Sequence, residues 1–295
     1  MQPITPHLWF DTQAKEATEL YVSLFRGSKI NSVRTIQNTP SGDCDIVSFE
    51  LVGQSFMAIS AGPYFKINPS VSFHVKCETK EEVVSIWETL SQHGKVLMEL
   101  GAYPWSEQFG WVQDRYGVSW QLSCVRDQNI TQAITPVLTF VGDVCGKTEE
   151  AIALYTSLFP ESGMMNVMRY GQNEAPEKEG SVKYAAFRIN GQEFGAMDSA
   201  RPHTFAFNEA ISFIVHCETQ EEIDRYWNAL SAVPQSEQCG WLKDRFGLSW
   251  QIVPTAMDEM MRTGSEAQIG RVTQAFLKMK KFDLATLQKA FAIEN

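Results

Sequence analysis

The sequence predicts an α+β protein made of two tandem copies of one domain, followed by a helical extension. Three observations carry that prediction. Long stretches recur in the same order about 130 residues apart. Each copy alternates between helix-period and strand-period hydrophobic patterns. The residues beyond 255 have no counterpart in the first copy and read as helix.

Ile4-Thr5-Pro6 returns as Ile134-Thr135-Pro136, and Leu20-Tyr21-Val22-Ser23-Leu24-Phe25 returns as LYTSLF at 154–159. SFHVKCETKEEV (72–83) returns as SFIVHCETQEEI (212–223), and SEQFGWVQDRYGVSWQL (106–122) returns at 236–252 with 11 of 17 positions identical. A period this long exceeds solenoid repeats, so each copy is predicted to be a domain. The expected domains are 1–127 and 128–255, joined by RDQNITQ (126–132), with 256–295 as the extension. The first copy has extra residues around HGKVLMELGAYPW; the second has them at VGDVCGKTEE and between Gly171 and Gly180.

Taken in order, PHLWF reads as a strand, and Ala17, Leu20, Tyr21, Leu24 and Phe25 follow at helical spacing. Ala151, Leu154, Tyr155, Leu158 and Phe159 keep that stripe in the second copy. DIVSFELVGQSFMAIS reads as a hairpin turning at Val52-Gly53, and KYAAFRINGQEFGAMD turns at Asn190-Gly191, a type I′ signal. SVSFHVKC is the next strand. Thr79-Lys80-Glu81-Glu82 is a capping box that opens a helix with Val83, Ile86, Trp87 and Leu90 turned inward. Thr219–Glu222 repeats it before Ile223, Tyr226, Trp227 and Leu230. GWVQDRYGVSWQL reads as two strands joined by an Asp-x-x-Gly turn, so the aspartates are read as turn residues rather than catalytic acids. Each copy is thus βαβββ twice over. Helices on one face leave the other face free to curve around a ligand. In the extension, 267–280 and 283–291 read as helices, the second capped by Asp283. Phe276, Met279, Phe282, Leu284, Leu287 and Phe291 form a stripe that packs on a domain or a subunit partner.

The 25 basic and 35 acidic residues give a formal charge of −10, which argues against a nucleic-acid groove or an anionic membrane surface. No apolar run approaches the roughly 18 residues of a spanning helix. The start, MQPITPHLWF, lacks a signal-peptide pattern. Six cysteines form no Cys-x-x-Cys pair, so a reducing, cytoplasmic compartment is expected. No Gly-x-Gly, P-loop, Gly-x-Ser-x-Gly elbow or His-Glu-x-x-His occurs, which argues against a doubly wound methyltransferase.

The pattern ITPxLxF, EA…LYxSLF, SFxVxCETxEE and GWxxDRxGxSWQ resembles the PhnB-like family, whose members are labelled 3-demethylubiquinone-9 3-methyltransferase domain proteins. That family lies within the vicinal-oxygen-chelate (VOC) superfamily of glyoxalase, bleomycin-resistance and extradiol-dioxygenase proteins. The resemblance spans 3–125 and 133–254, and RVTQAFLKMKKFDLATLQKAF resembles the family's C-terminus. It implies two glyoxalase-like domains, each of paired βαβββ modules around a cavity, set as a pseudo-twofold pair. In metal-dependent members the ligands are His and Glu from the first and last strands of the modules. Carried over residue by residue, the first strand offers Thr5 or His7, and the module's end offers 57–60, or 196–198 in the second copy. Val71-Ser72 stand where a His is expected, and Gln121 and Gln251 stand where many members have Glu.

The five histidines are His7, His74, His93, His203 and His216. His7 maps to Val137, His74 to Ile214 and His216 to Lys76, so none recurs. His74 alternates against Val71, Phe73, Val75 and Cys77, leaving it either solvated or facing a ligand. Ser119 with Gln121, and Ser249 with Gln251, make polar strand faces open to the same two readings. Recurrent Trp111/Trp241 and Trp120/Trp250 read as core or as ligand platform. Ala102-Tyr103-Pro104-Trp105 reads as an aromatic loop fit to wall a cleft. The candidate cavity residues are His7, Trp9, Ser72, His74, Tyr103, Trp105 and Gln121 in the first copy, with Gln251 in the second.

The function expected from the sequence is binding of a small metabolite in a curved-sheet cavity without an obligate metal or other cofactor. A metal-dependent glyoxalase or dioxygenase-type enzyme is the first alternative, with a divalent ion on Gln121 and His7 or His74. An oligomeric scaffold is the second. The expected partner is a small molecule, with a homodimer as the further option, and neither nucleic acid nor membrane.

Overall fold

The computed structural model describes residues 4–39, 42–125 and 130–292. The expected domain boundary at 127/128, and 126–129 of the linker, lie outside the described residues. Among them, the elements run as four modules and a tail. The first module is β1 (Thr5–Phe10), α1 (Ala14–Leu24), β2 (Lys29–Thr39), β3 (Gly42–Leu51) and β4 (Gln54–Ser60). The second is β5 (Val71–Cys77), α2 (Lys80–Ser91), β6 (Lys95–Tyr103), β7 (Ser106–Gln113) and β8 (Ser119–Cys124). The third is β9 (Ile134–Val141), α3 (Thr148–Leu158), β10 (Gly163–Arg169), β11 (Val182–Ile189) and β12 (Gln192–Ser199). The fourth is β13 (Ile211–Cys217), α4 (Gln220–Leu230), β14 (Trp241–Lys243) and β15 (Ser249–Pro254). It lacks a counterpart of β6, because the second copy has only a 3₁₀ turn at Pro234–Ser236 where the first has a hairpin strand. The tail is α5 (Thr255–Thr263), α6 (Glu266–Phe276) and α7 (Leu284–Ala292). No helix among the described residues is long and apolar enough to cross a membrane.

Pro6–Ile211 form one compact unit. In it, β1, β4, β3 and β2 are neighbours in that order, with β1 parallel to β4 and His7 opposite Met57. A separate eight-stranded sheet has the order β10-β11-β12-β9-β5-β8-β7-β6. Its central pair is β5 with β9, antiparallel, with His74 opposite Thr135. The second module of the first copy therefore shares a sheet with the first module of the second copy. The two modules of the first copy lie in different sheets.

Both hairpins turn where the sequence indicates. Val52 and Gly53 have φ of 48° and 81°, Asn190 and Gly191 φ of 53° and 79°, the left-handed pair a type I′ turn requires. α2 packs on β5, β7 and β8, and α3 on β10, β11 and β12, so both cover one face of the eight-stranded sheet. Val71, Phe73, Val75, Trp120 and Leu122 are buried on that side. The Thr79 hydroxyl accepts from the Glu82 N–H at 3.1 Å, as a capping box predicts. The Glu82 carboxylate reaches one residue further back, to the Glu78 N–H at 3.1 Å. Asp114 is a turn residue, as expected. It accepts from the Tyr116 and Val118 N–H groups, Trp120 Nε1 and the Tyr21 hydroxyl, all within 3.0 Å. Burial still raises its pKa, and those four hydrogen bonds pull it back.

The second unit runs from Ser212 and also takes in Ile4 and Thr5, the first residue of β1. Its strands order β14-β15-β13, with Ile214 opposite Gln251. The turn before β15 repeats the Asp114 arrangement: Asp244 accepts from Phe246 N, Leu248 N and Trp250 Nε1. The tail's apolar stripe packs on this same unit. The Gln220 amide clasps the Phe282 carbonyl and the Leu284 N–H, and a Cβ on Gly240 would stand 2.5 Å from the Phe282 ring. Asp283 caps α7, accepting from the Thr286 N–H at 2.7 Å. The sequence pattern did not indicate α5, whose one buried residue is Met260. Its Asp258 carboxylate lies 3.3 Å from His216 Nδ1 on β13.

Candidate functional site

The face of the eight-stranded sheet opposite the helices is polar and largely buried. Register places one row of side chains across five strands. Thr135 lies opposite His74, His74 opposite Gln121, Gln121 opposite Trp111, and Trp111 opposite Met98. Registered neighbours present their side chains to the same face. A second row holds Val137, Ser72, Ser119 and Gln113.

Most polar groups here are paired along the sheet. Gln121 Nε2 donates to the Ser72 hydroxyl at 2.8 Å, and Trp111 Nε1 donates to the Ser119 hydroxyl at 2.7 Å. His74 Nε2 and the Ser123 hydroxyl share a 2.7 Å hydrogen bond. Burial, with a smaller contribution from the Lys76 charge, lowers the His74 pKa to about 4, so its imidazole is neutral at pH 7. Lys76 is itself neutralised by Glu193 at 2.9 Å, and Arg188 lies 3.5 Å from the same carboxylate.

Two hydroxyls on β9 break this pattern, and a tyrosine from β11 stands beside them. Thr135 Oγ1 and Thr139 Oγ1 are buried without a hydrogen-bond partner. Leaving such a group unpaired costs roughly 1–3 kcal/mol. Two residues apart along β9, Thr135, Val137 and Thr139 share one face. Tyr184 reaches that face from β11 because Gly195 of β12 has no side chain: a Cβ there would lie 2.7 Å from the Tyr184 hydroxyl and 3.1 Å from Val137. Burial pushes the Tyr184 pKa up to about 12, so the hydroxyl keeps its proton. The nearby Glu193 carboxylate adds a smaller push in the same direction.

The sequence-predicted site residues divide into four places. Ser72, His74 and Gln121 are brought together on this face. Tyr103 and Trp105 lie at the tip of the β6–β7 hairpin, three strands from β5, where their rings stack at 5.1 Å. That segment is a tight hairpin end, not the expected loop, because β6 and β7 pair up to Tyr103 and Ser106. His7 and Trp9 are on β1, in the other sheet of the same unit, and so are not joined to His74 and Gln121. His7 is fully buried, and burial lowers its pKa to about 3. Trp9 Nε1 donates to the Gly62 carbonyl at 2.9 Å. Gln251 repeats the Gln121 arrangement in the other unit, donating to the Ser212 hydroxyl at 2.9 Å.

The sequence reading missed Thr135, Thr139 and Tyr184. A signal existed: ITPVLTFV is buried along its whole length, yet it carries threonines at even spacing. Among the described residues, no group of three His, Cys, Asp or Glu side chains is placed to hold a metal ion. On the His74 face the available donors are one imidazole, amides and hydroxyls, and Glu193 is held by Lys76. With one imidazole and no free carboxylate or thiolate, this donor set falls short of the three protein ligands that a divalent cation site is ordinarily built on.

The chain is similar to known proteins in two ways. Three solved structures are representative. A putative 3-demethylubiquinone-9 3-methyltransferase, PhnB protein, from Bacillus cereus is 42% identical over 42% of this chain and 100% of its own, with a TM-score of 0.40. Protein PA1353 from Pseudomonas aeruginosa is 25% identical over 43% of this chain and 100% of its own, with a TM-score of 0.39. Glyoxalase I from Zea mays is 13% identical but spans 88% of this chain and 96% of its own, with a TM-score of 0.54, a likeness of fold. None of the curated proteins matches. The model of one family, described as 3-demethylubiquinone-9 3-methyltransferase, matches twice, at residues 2–123 and 132–253. With most of its length covered by these two matches, the chain belongs to the 3-demethylubiquinone-9 3-methyltransferase family, in a tandem form with the glyoxalase-like fold.

Proposed function

We propose that this protein binds a small molecule on the His74 face of the eight-stranded sheet, through neutral hydrogen-bonding groups and without an obligate metal. The observation that carries this reading is the pair of buried, unpartnered hydroxyls of Thr135 and Thr139. A folded chain tolerates such a deficit where a ligand supplies the missing partners. Methyl transfer, the activity in the family's name, is not part of the proposal, since the chain has no Gly-x-Gly turn for a doubly wound cofactor site.

The test is divalent-metal binding to dialysed, untagged protein, by elemental analysis and titration with Mn²⁺, Ni²⁺ and Zn²⁺. In parallel, the Thr135 and Thr139 methyl groups are followed by NMR while pools of small metabolites are added. The proposal expects no saturable metal binding, and methyl shifts at both threonines with at least one pool. One equivalent of bound metal, lost in Gln121→Ala or His74→Ala, would overturn it in favour of a glyoxalase-type metal enzyme.

A further inference from the structure

We infer that Cys77 and Cys124 form a redox-sensitive modification site, which a low-molecular-weight disulfide oxidises to a covalent cross-link between β5 and β8.

The pairing follows from the sheet. β5 and β8 run parallel, and their last residues, Cys77 and Cys124, are register partners. The ladder continues past them, since the Val125 N–H donates to the Cys77 carbonyl at 3.0 Å. Neighbouring strands lie about 4.8 Å apart, inside the roughly 4.4–6.8 Å between α-carbons that a disulfide spans. Registered side chains leave a sheet on the same face. Cys77 continues the buried series Phe73 and Val75, and Cys124 the series Trp120 and Leu122. Both thiols therefore leave on the side that α2 covers. The other cysteines lack this arrangement. Cys217, the counterpart of Cys77 in the second copy, stands opposite Pro254. Cys44 is on β3 of the other sheet, and Cys145 and Cys239 lie between strands.

The two thiols differ in access, which sets the order of events. Cys124 is half-buried, and its weak contact with the Glu78 carbonyl, at 3.8 Å, leaves it open to a reagent. Cys77 is buried, and that burial, with smaller contributions from Glu82 and Cys124, pushes its thiol up to about 12. It stays protonated and out of reach of solvent. The Cys124 thiolate attacks one sulfur of the small disulfide. A mixed disulfide forms, and the first thiolate leaves and takes up the proton that Cys124 released. The Cys77 sulfur then attacks the Cys124 sulfur, and its proton goes to the second departing thiolate as the Cys77–Cys124 bond forms. The chain has lost two hydrogens, and the small disulfide has become two thiols. The cross-link closes α2, β6, β7 and β8 into one covalent ring, which restricts the unfolded chain.

The test treats the reduced full-length chain with glutathione disulfide. Remaining thiols are alkylated in denaturant, and the chain is digested without reductant and mapped by mass spectrometry. The expected product, in most chains, is a pair of peptides joined through Cys77 and Cys124 and released by dithiothreitol. The urea midpoint should rise on oxidation and return on reduction. Cys77→Ser should stop at glutathione held on Cys124, and Cys124→Ser should leave Cys77 unoxidised. Cys124 is the less buried of the two, so its variant keeps the test decisive if Cys77→Ser does not fold. Glutathione that stays on Cys124 of the unsubstituted chain would overturn the proposal. So would an unmodified Cys124, or a link from either residue to another cysteine.

Discussion

In the module β1–β4, His7 lies opposite Met57, and Ile46 lies opposite Ile59. At the matching positions of β9–β12 stand Val137 opposite Gly195, with Tyr184 in place of Ile46 and Met197 in place of Ile59. The helix-facing side hardly changes between the two. Phe49 and Phe56 stack with centroids 5.4 Å apart in the first module, and Phe187 and Phe194 pack with a 32° tilt at 5.7 Å in the third. Packing fixes the side that meets the helices, because a buried aromatic pair tolerates little change of volume. The other side is free to diverge. There, a histidine has given way to a valine, and a methionine to a glycine that admits a tyrosine. The duplication has kept one core and made two different faces.

One break of the comparison comes from exchanging that glycine. Gly195→Met restores the side chain found in the first copy, but its Cβ meets the Tyr184 hydroxyl and Val137. It should cost about 1–3 kcal/mol of unfolding free energy, the usual price of overpacking. Adding Tyr184→Ile should recover more than half of that loss, because the pair is then the one β1–β4 already accommodates. A urea-denaturation double-mutant cycle measures the coupling. Independent, additive losses would show that the two faces do not differ through this contact.

The next effect separates the faces by pH. His7 titrates near 3 and His74 near 4 in the folded chain, against 6.5 when unfolded. The unfolded state therefore binds more protons between those values. The stability from keeping each imidazole neutral is complete above pH 6.5. It falls as pH drops, by at most about 1.4 kcal/mol per pH unit for each histidine, until the folded value is reached. His7→Val, which copies Val137, should remove one proton's worth of that slope between pH 6.5 and 4 and leave the share due to His74. An unchanged slope in urea titrations would mean that His7 is not held neutral by burial.

The four-module plan was legible because its signals are local. Turn residues at Val52-Gly53 and Asn190-Gly191, caps at Thr79 and Thr219, and stripes at helical spacing act within a few residues. The pairing of β5 with β9 is not local. It depends on which open edges meet after folding, and it separates His7 and Trp9 from His74 and Gln121, which the sequence had grouped. Ser72, His74 and Gln121 were found because polar residues alternate with apolar ones along β5 and β8. Tyr184 escaped notice because its position depends on the empty space at Gly195 in a neighbouring strand. Thr135 and Thr139 escaped because an unpaired hydroxyl reveals itself only when every potential partner across the sheet has been placed. The Ala102–Trp105 segment was misread because its Pro suggested an open loop, whereas Pro104 occupies the turn of a hairpin.

The central claim is that the β9 hydroxyls await a ligand, and Thr135→Val with Thr139→Val tests it most directly. Valine keeps the shape and removes the unpaired oxygen. If nothing in the folded chain bonds these hydroxyls, each substitution should raise the unfolding free energy of the ligand-free protein by about 1 kcal/mol while weakening small-molecule binding. A loss of stability on both substitutions would contradict the account, because it would mean that the hydroxyls already have partners and form part of the scaffold.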